Sequence, residues 1–365
     1  MVFVPATDQA IRYCGRVVLS ADECRFDWPG VEVRFTVTGA RRVHIHMDGA
    51  RNYFNLIVGG QSSVLATEPG ETRYAVDLDP NQQTTIHLYK RTEAMAGFPD
   101  GRTGCVIFKG IELDTGQLIA MDEPARPVIE VVGDSDTAAF GNLGSRAESK
   151  TPVSHPPFQD VSQSWGSFTA QAFGADCHNI SFSGMGAVWN APGFDGPAMN
   201  EHYKQLLVSS SEKWVATPDN NILPQVDLII LYIGGNDWWT LADRGDNDFI
   251  EGYLRFLGEL RALRPKQPLL MLLADGASGS CLVTRNRQRL FSDDMKRVFG
   301  EVVRAVDGEQ NGIYLREVFP EPAIDVEDDA DWGLGEHWSV QGNHKWANGV
   351  IPRVTEVTGW RSLVS

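Results

Sequence analysis

No part of this chain is apolar for long enough to cross a bilayer as a helix. The longest such run, 226–233 within VDLIILYIGG, falls well short of the about 20 residues a spanning helix needs. Positive charge is also scarce: 32 Lys and Arg stand against 48 Asp and Glu, a formal charge of -16. No basic patch interrupts that field, so nucleic acid and anionic lipid surfaces are not expected as partners. Cysteine is sparse and scattered. Cys14, Cys24, Cys105, Cys177 and Cys281 form neither a C-x-x-C pair nor a Cys/His cluster with zinc spacing, which argues against a structural metal. Their odd number leaves at least one free thiol, and their spacing does not separate a reducing from an oxidising compartment. The opening residues MVFVPATDQAIRY lack a basic region followed by an apolar stretch, so no secretory leader is expected there and the localisation stays open. What remains is ordinary: 365 residues, 42% apolar, 10% aromatic and 22% charged. That suffices for two cores and excludes disorder, collagen and coiled coil.

Two periodicities divide the chain. Up to about residue 120, short segments alternate apolar with polar residues, as in Val31-Glu32-Val33-Arg34-Phe35-Thr36-Val37, so that one face is expected in a core and the other in water. Similar segments run over 43–47, 53–58, 74–78, 85–89 and 105–113, separated by turn signals such as Gly59-Gly60 and Asp79-Pro80-Asn81. An antiparallel sandwich is predicted over 1–122. The charged, proline-bearing stretch Asp122-Glu123-Pro124-Ala125-Arg126-Pro127 reads as a linker. Over 127–365 the strands become continuous apolar runs, at 128–132, 226–233 and 268–274, as suits burial on both faces. Between them, Phe249, Ile250, Tyr253, Leu254, Leu257 and Leu260, then Met295, Val298, Phe299, Val302 and Val303, repeat at helical spacing. The prediction is a three-layer α/β/α domain around a parallel sheet, with its site at the carboxyl ends of the strands.

The first strand end reads Val132-Gly133-Asp134-Ser135-Asp136. Ser135 is presented there by a glycine turn, unless Asp134 and Ser135 merely cap a following helix. The next junction, Ser181-Phe182-Ser183-Gly184-Met185-Gly186, offers exposed backbone amides, and a later strand runs into Gly234-Gly235-Asn236-Asp237. Asn236 can donate to a developing oxyanion alongside the amides of Ser135 and Gly184. Glu336-His337-Trp338 places an imidazole just before a predicted helix. Trp238 and Trp338 adjoin these residues and are candidates, with Asp237, for contact with substrate; Trp189 and Trp239 are weaker ones. His44 and His46, two apart on one strand, read as solvent-facing, and His155 as an exposed loop residue. Asp325 to Asp331 reads as a solvated acidic run, because it lacks the calcium-loop pattern.

These four blocks, in this order, resemble the SGNH (GDSL-type) hydrolase superfamily, with GDSD here in place of the commoner GDSI or GDSL. The likeness extends to the two-domain carbohydrate esterase family 2 through Arg25-Phe26-Asp27-Trp28-Pro29-Gly30, Asn52-Tyr53-Phe54-Asn55, Lys90-Arg91-Thr92-Glu93-Ala94 and Gln163-Ser164-Trp165-Gly166. Members of that family join a jelly-roll-like sandwich to an SGNH domain. The resemblance implies a serine esterase that removes acetyl groups from a polysaccharide or oligosaccharide and uses no metal or other cofactor. Ser135 would be the nucleophile, His337 the base, and Gly184 and Asn236 oxyanion donors. A lipase or thioesterase for longer acyl chains, or a carbohydrate-binding protein without turnover, are the alternatives. Two departures from the family pattern stand out. Gly335 occupies the position where the family has an aspartate two residues before the histidine, so Asp331, Glu336 or a backbone carbonyl is left to orient His337. Asn343 stands where a second histidine often follows. The family's chemistry implies a rate that rises with pH through one histidine-like ionisation.

Overall fold

The computed structural model describes residues 1–93, 104–122, 124–150, 155–208, 215–219, 222–238, 244–274 and 288–364; Cys281 and Trp239 lie outside them. The chain divides into two compact units, Met1–Ala125 with Leu206–Val215, and Arg126–Gln205 with Ala216–Ser365.

The first unit is an antiparallel sandwich. Its strands are β1 (Val2–Pro5), β2 (Arg12–Cys14), β3 (Val18–Leu19), β4 (Cys24–Phe26), β5 (Glu32–Thr38), β6 (Arg42–Asp48), β7 (Tyr53–Val58), β8 (Gln61–Ala66), β9 (Thr72–Asp77), β10 (Thr84–Lys90), β11 (Val106–Leu113) and β12 (Gln117–Ile119). Among the described residues they form two six-stranded sheets. One is ordered β3-β4-β11-β6-β9 with β1 on β11, the other β12-β5-β10-β7-β8 with β2 on β5. The alternating segments read from the sequence become β5, β6, β7, β9, β10 and β11, and they bury Val33, Phe35, Val37, Val43, Ile45, Leu88 and Phe108. β8 escapes the alternation rule because its side chains are almost all exposed. It exists as a strand because the Gly59-Gly60 turn folds it back in register on β7, Val58 opposite Gln61.

Two expectations of water-facing side chains fail. Arg34 and Thr36 of β5 are buried, Arg34 paired with Glu32 and the Thr36 hydroxyl 2.9 Å from that of Thr85. His46 is buried as well, with Nε2 3.3 Å from the Glu112 carboxylate and its ring edge-on to Phe3 at 5.4 Å. His46 is covered because β1 adds to β11 and lays Phe3 on a face that local sequence reads as open.

Among the described residues the second unit is built on five parallel strands, β13 (Val128–Gly133), β14 (Asp176–Ser181), β15 (Leu228–Tyr232), β16 (Leu269–Ala274) and β17 (Ile313–Val318), in the order β14-β13-β15-β16-β17. Among the described residues its α-helices are α1 (Trp165–Ala172), α2 (Met199–His202), α3 (Asp246–Leu263), α4 (Gln288–Ala305) and α5 (Val340–Thr358). Helix α3 buries Phe249, Tyr253, Phe256, Leu257 and Leu260 and ends just before Pro265. Helix α5 is capped by Ser339, whose hydroxyl accepts from the Gly342 amide, and buries Trp346, Val350 and Val354. These side chains join Trp165, Trp332, Trp338 and, from the sheet, Ile129, Val131, Leu228, Ile230, Leu270 and Leu272 in one core cluster. The next strand leaves β13 on one side as β14 and on the other as β15. The carboxyl end of β13 is therefore the point where the strand order reverses, which is where open α/β sheets place their clefts.

Candidate active site

β13 ends in Gly133, where a Cβ would fall 1.9 Å from the Thr137 hydroxyl and 2.7 Å from Tyr232 O. Only glycine lets the chain turn this close to the neighbouring strand. The turn closes on itself. Asp134 O accepts from Thr137 N and Ala138 N at 3.1 and 2.9 Å, and Ser135 O from Phe140 N at 2.9 Å. No helix follows, so Asp134 and Ser135 are not helix caps; Ala139, with φ at 55°, turns the chain away from helical geometry. Ser135 is 7% exposed, and its Oγ lies 2.8 Å from His337 Nε2, 202 positions away in sequence.

The other ring nitrogen settles the proton. His337 Nδ1 is 3.2 Å from Leu334 O, and a carbonyl only accepts, so Nδ1 carries the hydrogen and Nε2 is left to accept from Ser135 Oγ–H. The Phe140 ring packs against the imidazole, centroids 4.8 Å apart. Neither candidate acid takes part in this. Asp331 is fully buried, but its carboxylate accepts from Asp325 N at 2.8 Å, Gln341 Nε2 at 3.0 Å and Lys345 Nζ at 2.7 Å. It therefore staples the segment before the histidine to α5, and the acidic run it belongs to is solvated only in part. Glu336 faces Arg146, with 3.0 Å between its Oε2 and Nε. Of the three candidates left to orient His337, the backbone carbonyl of Leu334 is the one that stands at Nδ1, and neither acid does.

Gly184 sits after β14 with φ at 78°, and a Cβ there would meet the Phe194 ring at 2.4 Å. Both the left-handed backbone and the ring lying on its Cα require glycine. Asn236 links the two turns: its Nδ2 donates to Asp134 Oδ2 at 3.1 Å and to Met185 O at 2.9 Å. Both amide hydrogens are thus committed in the resting site, and Asn236 reaches an oxyanion only by releasing one of them.

Two substrate-contact candidates prove structural. Asp237 is fully buried, and its carboxylate accepts the backbone N–H of Ala187, Val188 and Trp189, each at 2.7 Å, which anchors the loop after Gly184. Trp338 is 1% exposed and stacks on Trp346 at 4.8 Å. Its neighbour His337 points to Ser135, while the bridge between Trp332 and Trp338 turns the indole into the core. Trp238 stays half-buried, stacked on Phe299 and edge-on to Phe249. Trp189 is half-buried too, with the Arg244 guanidinium 5.0 Å from its ring. His155, read as exposed, is only partly so and packs its ring 4.6 Å from Phe140, the ring that also touches His337. Nothing in the short segment Ser154-His155-Pro156-Pro157 signals that contact.

Burial shapes the electrostatics. Desolvation, helped by the charges of Asp136 and Asp237, raises Asp134 well above the usual carboxylate range. Desolvation also pushes Asp237 up to about 7, against the pull of its three backbone donors. Burial and repulsion from His337 lower His155. A carboxyl with a raised native pKa holds a proton that the unfolded chain has already released, so its contribution to stability is complete below about pH 4 and is lost as pH rises toward 7. The expected outcome is a higher melting midpoint at pH 5 than at pH 8 by circular dichroism. A midpoint that falls over that interval on acidification contradicts this pair of buried acids.

Both the sequence and the fold have known relatives. Residues 129–350 match the GDSL-like lipase/acylhydrolase family and residues 13–121 the carbohydrate esterase 2 N-terminal domain. The cellulase/esterase CelE of Acetivibrio thermocellus is 27% identical over 343 residues, which are 91% of this chain but 38% of that protein. The chain thus spans well under half the length of this curated relative. A family two carbohydrate esterase from Clostridium thermocellum, in complex with cellohexaose, superposes with a TM-score of 0.78 at 23% identity over 96% of this chain and 99% of that one. One from Cellvibrio japonicus gives 0.79 at 19% identity over 98% of each chain. The acetyl xylan esterase Est2A of the rumen bacterium Butyrivibrio proteoclasticus gives 0.77 at 18% identity over 98% and 99%.

Proposed function

The chain belongs to the GDSL-like lipase/acylhydrolase family, and from that membership we propose that it is a serine esterase removing O-acetyl groups from a polysaccharide or oligosaccharide. The observation that carries this reading is the 2.8 Å contact between Ser135 Oγ and His337 Nε2. A serine hydroxyl is a weak nucleophile until a base within hydrogen-bond reach takes its proton. As Oγ attacks the ester carbonyl, its proton passes to Nε2, and the imidazolium is steadied through Nδ1–H by Leu334 O. The sugar alkoxide leaves with that proton. Water, deprotonated by the same Nε2, then splits the acetyl-enzyme and regenerates Ser135. The tetrahedral oxyanion falls to the amides of Ser135 and Gly184, with Asn236 holding the two turns in register; a donor of this kind contributes about 2.7 to 4 kcal/mol to lowering the barrier.

Two features favour acetyl over longer acyl groups. The Phe194 ring lies directly on Gly184, which fills space a long chain would need, and the loops at the strand ends are rich in Gly, Ser and Asn. The half-buried Trp189 and Trp238 offer the aromatic faces for a sugar ring. The cellohexaose bound to the Clostridium thermocellum relative supports a saccharide as the substrate carrying the ester.

Acetate release from acetylated xylan, mannan and glucan oligomers, with Ser135→Ala as the blank, tests the reading. Alongside, kcat/KM for p-nitrophenyl acetate is expected to exceed that for the octanoate by roughly a hundredfold or more, since even one methylene changes selectivity by about 10- to 200-fold. A preference for octanoate turns the assignment to a lipase, and saccharide binding without acetate release turns it to a binding protein.

A further inference from the structure

We propose that Arg146 is a positioning residue for His337 and acts through the carboxylate of Glu336. This rests on the esterase reading above, and it gives Glu336 a role other than that of the missing family acid. The turn that carries His337 contains two consecutive left-handed residues, Gly335 at φ 63° and Glu336 at φ 61°. For a residue with a side chain that conformation is costly, and it persists only where neighbours impose it. The neighbours here all come from the chain just beyond the nucleophile. Leu334 N donates to Gly141 O at 3.0 Å, Gly335 N donates to Ser149 Oγ at 2.7 Å, and Arg146 Nε pairs with Glu336 Oε2 at 3.0 Å.

Arg146 is itself fixed on three other sides. Its Nη1 donates to Val326 O at 2.7 Å and approaches Asp329 Oδ1 at 3.4 Å, and its guanidinium lies 4.8 Å from the Trp332 ring centre. The chain beyond the serine therefore grips the histidine turn by two hydrogen bonds, to Gly141 O and Ser149 Oγ, and by an ion pair. Leu334 O, which orients Nδ1, sits in that same turn. If the turn shifts, the base loses both its hydroxyl and its carbonyl partner. A family member with an acid two residues before the histidine holds its imidazole by a side chain; this chain, with glycine there, holds it by holding the turn.

The Arg146 and Glu336 side chains are 18% and 35% exposed, and a pair this accessible adds little to global stability. Its loss should appear in turnover, where misplacement of a reacting group by about 1 Å costs up to 10²-fold. Four variants test the proposal: Glu336→Gln, Arg146→Ala, Arg146→Lys and the double variant Arg146→Ala/Glu336→Gln. They are assayed for p-nitrophenyl acetate hydrolysis, for the rate at which diethyl p-nitrophenyl phosphate blocks Ser135, and for melting. The expected result is a kcat lowered about 10- to 100-fold in Glu336→Gln and Arg146→Ala, with KM and melting nearly unchanged. Arg146→Lys should recover part of the rate, and the double variant should be no slower than the slower single one. Wild-type turnover in Glu336→Gln, a loss confined to KM, or fully additive losses would overturn the proposal. Should Arg146→Ala fail to fold, Glu336→Gln and Arg146→Lys still decide it. A wild-type protein neither hydrolysing the ester nor blocked by the phosphate would instead refute the esterase reading itself.

Discussion

Replacing Ser135 with alanine is expected to lower kcat for p-nitrophenyl acetate by roughly 10⁶-fold, the loss seen when a serine hydrolase is deprived of its nucleophile. The fold should survive. Ser135 closes its turn through main-chain groups, with Ser135 O accepting from Phe140 N, and alanine keeps those. Its hydroxyl is bonded to His337 Nε2, a ring that remains held through Nδ1 by Leu334 O. The lost hydrogen bond is worth about 1 kcal/mol, so urea and thermal midpoints should barely move. Activity equal to wild type would remove Ser135 from the mechanism, and a large loss of stability would mean that the turn depends on the hydroxyl.

The second large effect concerns stability. Asp237→Ala removes the acceptor of three backbone N–H groups at 2.7 Å, those of Ala187, Val188 and Trp189. Each buried donor left without a partner costs about 1 to 3 kcal/mol, so a loss of about 3 kcal/mol or more is expected from urea unfolding. Activity should fall with it, because the anchored loop starts at Met185, whose carbonyl takes the Asn236 amide, and next to it stands Gly184. Asp237→Asn keeps one acceptor oxygen but turns an NH₂ toward donors, so it should fall between the alanine variant and wild type. If Asp237→Ala melted like wild type and instead lost affinity for saccharide, the carboxylate would belong to the substrate, as its position in the sequence suggests.

Much of the architecture is legible before folding. The change from two-residue alternation to continuous apolar runs near residue 126 separates a sandwich from a parallel sheet, because a strand solvated on one face needs alternation and a doubly covered one does not. Gly133, Ser135, Gly184 and Asn236 are legible as positions: each lies at or just past a strand end, and glycine beside a strand end has a steric meaning of its own. β8 lay outside this reading. Its exposed residues carry no periodic signal, and its pairing is dictated by the turn before it.

What folding alone decided is where side chains point once loops pack. Trp338 follows the histidine directly, yet a bridge to Trp332 swings it into the core. Asp331 and Glu336 lie near His337 in sequence but are claimed by Lys345 and Arg146. Asp237 sits beside Asn236 and serves a loop some 50 positions earlier. Strand and turn character are local properties of the chain, set by residue period and backbone sterics, and so they can be read from its order. The partner of a charged or aromatic side chain depends on which distant segments meet, through contacts 100 or more residues apart such as that of Asn236 with Asp134, and only the tertiary structure determines those.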